Sequence, residues 1–396
     1  VDVVPHNLDE LYFERGGPLQ RLAQRLFAHC GASHSLGTRI VGFLAITWLP
    51  LVVLAALEGR ALGASPQESL LLDFGTYARF FLGVPLLLAA EQIVGPHLRS
   101  AGLQFVQGGF VRQDDYPAFD QAIARAAKWR ESVWAEIIIL ALAVTGAWLF
   151  TPETLTGDVI ASWRSPNFPG APLSISFAAL WYRLVAVPIL QFFWYRWLWR
   201  LLVWANFLWS VSRLNLNLVC THADQAGGLG FLGVAHTSLG VFAFAMSSVL
   251  SAEAAFLIVF QKADIATFQV PYVVVVVIVE LMFLGPLLIF TPTLIRTRLA
   301  WVREYGLLVT RYNRAFHEKW IMGQAAADER LLGTADIQSL ADLGSSFEYL
   351  RAMKVVPFSL RAARQLALVT SLPSLPLILL VVPINQILQL LTKVVF

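Results

Sequence analysis

From Pro271 to Phe290 the sequence reads PYVVVVVIVELMFLGPLLIF, and its one charge is Glu280. A helix of about 20 residues is long enough to cross the hydrocarbon core of a bilayer. Few other folds absorb so long an apolar run. Its glutamate is the exception: an acidic side chain at the centre of a span opposes insertion by roughly 2.5–3.5 kcal/mol. Such a residue points to a buried partner, a protonation event or a water-filled path.

Composition extends this to the whole chain. Charged residues make up 14% and hydrophobic residues 57%, against about 25% charged in a soluble domain, and the mean hydropathy is +0.64. The apolar runs are continuous, unlike the alternating strands of an outer-membrane barrel. The expected fold is therefore all-α, a polytopic helical membrane protein with about seven transmembrane segments and a small helical cytoplasmic layer. A net charge of +3 gives no basis for nucleic-acid binding. The expected partners are membrane lipids, small ions and further copies of the chain in a homo-oligomer.

Hydropathy places the spans at Thr38–Leu57, Tyr77–Val94, Ser132–Phe150, Phe177–Trp204, Thr237–Phe260, Val270–Thr291 and Leu366–Val394. The last contains Pro373, Pro376 and Pro383, so it is expected to be kinked, broken or re-entrant. Five Lys and Arg fall between Gly95 and Glu131 and eleven between Thr293 and Gln365, whereas the opposite connections carry Arg60, Arg164 and Lys262. The positive-inside rule then puts the N-terminus in the cytoplasm. The resulting organisation is a cytoplasmic or interfacial segment 1–37, a six-span bundle 38–292 with a cytoplasmic helical loop 95–131, cytoplasmic helices 293–365, and a membrane segment 366–396. Within the first segment, Leu19–Phe27 has the leucine and arginine faces of an interfacial helix or of one packed on the cytoplasmic layer.

Three glutamates fall within spans, Glu280, Glu253 and Glu91, and Glu136 opens the third. Arg79 and Arg183 lie near outer span ends. These are the transport or gating candidates. Two readings stand side by side: packing pairs that fix the bundle, or stations on a hydrated path. A short outer loop joins the fifth and sixth spans, predicting an antiparallel hairpin with Glu253 nearer the outside. Serines on the fifth span, Ser247 and Ser251 among them, are placed to donate to a neighbouring carboxylate.

The stretch from Trp181 to Trp209, which covers the fourth span and its continuation, holds six of the chain's 13 tryptophans, with Arg196 and Arg200 one turn apart on one face. These arginines either snorkel to inner headgroups beside an indole belt or attract anions or lipid phosphates. Arg213 continues that polar stripe with Asn206, Ser210 and Asn217. Next comes CTHADQAGGLGFLG, Cys220–Gly233. His222 and Asp224 would serve as a weak metal or acid–base pair, or simply as polar caps in a rigid turn. The glycines permit a turn with amides facing an anion. Two candidate ligands do not make a metal site. No P-loop or dinucleotide fingerprint is present, and no cofactor is implied. Cys30 and Cys220 form no metal or redox spacing.

The H-x-D-x-x-G-G-L-G-F segment, His222–Phe231, and the ARFFLGVPLLLAAE stretch, Ala78–Glu91, resemble uncharacterised bacterial polytopic inner-membrane proteins. The resemblance implies a bacterial inner-membrane location and no activity. Function is thus expected to be transport, as an ion channel or transporter. The alternatives are a membrane-embedded enzyme acting on a lipid-linked or phosphorylated substrate, and a membrane scaffold or signalling component. No nucleophile–base arrangement supports the enzyme.

Overall fold

The computed structural model describes residues 35–149, 176–326 and 335–381, with positions 12, 16, 17, 163, 164, 329, 330 and 333. The predicted Leu19–Phe27 helix, Cys30 and the end of the last span lie outside the described residues. Helix α1, Leu36–Leu57, starts where the Ser35 hydroxyl accepts the Thr38 N–H. Its buried residues are Phe43, Thr47, Leu51 and Ala55, a four-residue spacing that makes one narrow seam. Val41, Leu49 and Val53 on the other faces are exposed, as lipid-facing side chains are. At its end Glu58 accepts from the Ser176 hydroxyl and the Phe177 N–H, placing a carboxylate on the positive end of the helix that starts at Phe177.

Helix α2, Phe74–Gln107, and helix α5, Phe177–Val211, share a local device. Each holds a π-turn, Ala78–Gly83 in α2 and Tyr182–Ala186 in α5. In each, the turn closes just before a Val-Pro pair, Val84–Pro85 and Val187–Pro188. Proline lacks an N–H and its ring crowds the carbonyl four residues back. A wider turn relieves that conflict without ending the helix. Between them, α3 (Tyr116–Arg130) and α4 (Val133–Leu149) are bent by 43° at residues 131 and 132.

Helix α6, Gly230–Gln261, jogs at Ser238 and Leu239 and stops at Lys262, whose φ of 58° is left-handed. Helix α7 runs from Ala266 to Ile321, narrowing to a 3-10 stretch at Gly285–Phe290 around Pro286. Its second half projects beyond the apolar part and packs against α8, Ala335–Ala352. Helix α9, Leu360–Leu380, begins at a Ser359 cap and contains a 3-10 turn at Leu372–Ser374. Among the described residues six helices are long and apolar enough to cross a membrane, or seven if α3 and α4 form one bent span. No strand occurs among the described residues. The fold is the predicted helical membrane class.

α5 is the central post: α3, α4, α2 and the 3-10 part of α7 all pack on it. Trp197 on α5 donates to the Leu87 carbonyl of α2 at 2.9 Å. Phe105, Phe119, Phe207, Phe231 and Phe290, from five elements, form one aromatic core. The predicted α6–α7 hairpin is corrected in its packing. The two helices are joined by a short connection, but α6 packs mainly on α2 and α9, and α9 also packs on α7. α9 thus packs against both helices, which meet each other directly at the Ser247, Ser251 and Tyr272 hydroxyls.

Candidate functional site

The polar residues inside the bundle form two clusters, one toward each end of α2. In the first, Asp73 precedes α2 and its carboxylate accepts from the Thr76 N–H (3.0 Å), the Thr76 hydroxyl (2.7 Å), the Trp163 indole (2.8 Å) and Arg164. Arg79, inside the α2 π-turn, donates to Glu253 of α6 and to the Tyr182 hydroxyl in the α5 π-turn at 2.9 Å. Arg164 lies 3.9 Å from Glu253 and is stacked near Trp163 and Tyr182. Two arginines and two carboxylates balance. Burial alone would raise the Asp73 carboxyl, but Arg164, Arg79 and the donors around it hold it well below the usual carboxylate range. A Cβ at Gly75 would meet the Glu253 carboxylate, so any larger residue there would push that carboxylate from its place beside Arg79.

In the second cluster, Glu91 of α2 accepts from Arg39 of α1 (2.9 Å) and Arg200 of α5 (3.1 Å). Arg196 donates to the Gly16 carbonyl at 2.8 Å and shares its surroundings with Glu136 of α4. Glu91, Glu136, Arg196 and Arg200 are all buried. The snorkelling reading of Arg196 and Arg200 is therefore corrected. α3 and α4 cover α5, so this face of the helix meets carboxylates instead of headgroups. Measured along α2, Arg79 and Glu91 stand roughly 18 Å apart.

Glu280 belongs to neither cluster. It is half-buried on α7 and faces the main chain of Ala367 on α9, and its Oε1 is enclosed without a hydrogen-bond partner among the described residues. Glu253 is turned away from it toward Arg79. The serines of α6 serve a different group than expected: Ser247 (2.6 Å) and Ser251 both meet the Tyr272 hydroxyl. Arg183 lies over the Trp148 ring at 5.9 Å.

The glycine-rich turn closes on itself. Asp224 Oδ1 accepts from the Ala226 and Gly228 N–H groups (2.8 and 3.1 Å), Oδ2 from the Gly230 N–H at the start of α6 (2.7 Å). His222 Nδ1 sits 2.9 Å from the same carboxylate. The anion that these amides face is thus the chain's own Asp224. Burial opposes its ionisation, and the three amides outweigh burial and lower its pKa. Gly228, at φ 95°, has its missing Cβ where the Phe110 ring lies. Among the described residues no three His, Cys, Asp or Glu side chains could hold a metal together. Cys220 is a buried free thiol, pushed up to about 11 by its burial.

Several participants were not singled out in the sequence. Arg39, Asp73, Trp163, Arg164 and Tyr182 complete the clusters, and only Arg164 carried a signal, as a basic residue on the side poor in them. His236 is the other omission. It is fully buried, its Nε2 accepts from the Trp204 indole (2.8 Å), and its Nδ1 therefore carries the proton donated to the Phe283 carbonyl (2.5 Å). It ties α5 and α6 to α7 just before the 3-10 break. Compared with protein families, curated proteins and solved structures, the chain matches none.

Proposed function

We propose that the chain is a transport protein of a bacterial inner membrane, an ion channel or transporter gated by its two charged clusters. The observation that carries this reading is the Arg79 bridge. One side chain on a π-turn joins Glu253 of α6 and Tyr182 on a second π-turn. Buried ion pairs stabilise less than apolar packing of the same volume, and intramembrane charges commonly mark ion paths. π-turns are local sites where a helix can change register. Widening them would part Arg79 from Glu253 and free the carboxylate for a cation or proton; parting Arg200 from Glu91 would do the same at the other end. The exposed apolar face of α7, Val270 to Leu281, supports assembly with further copies.

The enzyme reading draws less support, because both oxygens of Asp224 are engaged by backbone amides. The scaffold reading rests on the α7–α8 projection alone.

The test is flux in proteoliposomes for Glu253→Gln, Glu91→Gln and Glu280→Gln. Changes of about tenfold in proton or potassium flux, or a displaced pH profile, are expected for the first two. A changed pH profile for Glu280→Gln would extend the path to the α7–α9 seam. Wild-type flux in folded forms of both Glu253→Gln and Glu91→Gln would refute the gating role.

A further inference from the structure

Away from both clusters, an open cleft of about 940 Å³ lies where α5 ends and α7 resumes after its 3-10 stretch. Arg112, Arg213 and Arg296 reach it from three separate segments: the α2–α3 connection, the α5–α6 connection and α7. All three are exposed, and among the described residues no carboxylate lines the cleft. None of the three makes an ion pair among the described residues, in contrast to Arg39, Arg79, Arg164 and Arg200. Of the two acids that follow Arg112, Asp115 accepts the Asn215 N–H at 3.1 Å, and neither it nor Asp114 is among the residues lining the cleft. Arg213 lies over the Trp209 ring at 4.1 Å, which fixes its plane and leaves its edge donors toward the cleft. Asn215, Asn217 and Thr293 add neutral donors.

Three cations converging without a carboxylate repel one another until an anion enters. Guanidinium forks match the oxygens of a phosphate, and three of them suit a doubly charged phosphate monoester. We infer that this cleft binds a phosphate-bearing anion, a site separate from the proposed transport path. Its place at the end of the apolar stretch of α5, beside Trp209 and Trp301, is the level of lipid headgroups. The same chemistry would accept a soluble phosphate ester.

The experiment follows the melting temperature of the full chain in detergent during titration with dioctanoyl phosphatidic acid, glycerol 3-phosphate and phosphate-free dioctanoylglycerol. A saturable rise with phosphatidic acid but not with dioctanoylglycerol is expected. The R112Q/R213Q/R296Q variant should bind about tenfold more weakly or worse. Equal response to glycerol 3-phosphate would identify a soluble ester as the source, and a response confined to phosphatidic acid would identify a lipid. Should the triple variant not fold, the three single variants carry the test, each expected to be about threefold weaker. Equal titration by dioctanoylglycerol, no response to either phosphate, or wild-type affinity in the variants would overturn the site.

Discussion

At Asp224 one carboxylate does the work of several backbone partners. It accepts three amide N–H groups, each of which would otherwise be left without a bond in a tight turn. Asp224→Asn retains one acceptor and turns an NH2 group against the other amides. A loss of roughly 1–3 kcal/mol is expected, read as a lower unfolding midpoint in micelles. The pH dependence has a defined sign. The folded pKa is lowered, so the contribution is complete above the unfolded carboxyl value, roughly 4, and lost as pH falls through the folded value. The gap between wild type and Asp224→Asn should therefore be constant at neutral pH and close in acid. A gap that stays constant down to the acid limit would show that the charge is not what holds the turn.

Between elements, the tie that matters most is Glu91. It joins α1 through Arg39 and α5 through Arg200, with Glu91 and Arg200 both buried. Removing one member strands the other charge in an apolar setting, which costs about 3–5 kcal/mol. Glu91→Gln and Arg200→Gln should each destabilise by that order, and the double variant by less than their sum. A coupling of about 1–3 kcal/mol in the double-mutant cycle is expected. Strict additivity would mean that the two helices are held by apolar packing alone. The π-turns belong to this scale too. The sequence displays Pro85 and Pro188, and a proline predicts a disturbed turn. It does not say that the disturbance will aim Arg79 and Tyr182 at each other, because that depends on how α2 and α5 face.

For the molecule as a whole, α6 and α7 must run in opposite directions across the bilayer if the apolar lengths are spans. Lys262, between them, and Gln324, beyond α7, then lie on opposite sides. In a background with Cys30 and Cys220 replaced by alanine, an impermeant maleimide added to intact cells should label Lys262→Cys and not Gln324→Cys. Gln324→Cys should react only after lysis. Labelling of both from outside would refute the charge-based orientation, and labelling of Gln324→Cys alone would invert it.

Hydropathy alone decided the helical membrane class and the approximate positions of the long helices, because a chain cannot leave backbone polar groups bare in hydrocarbon and so must coil wherever it is apolar for long enough. It also singled out Glu253, Glu91 and Arg79 as charges inside or beside spans, while it read Arg200 as facing headgroups or anions. Which partners they have was a tertiary matter. Arg79 and Glu253 are separated by 174 positions, and only the packing of α6 on α2 brings them together. The same packing leaves Glu280, the most conspicuous charge in the sequence, on a different seam against α9. Insertion energetics depend on composition along one helix, whereas pairing depends on which faces meet. The first is written in the chain, and the second appears only when the bundle has closed.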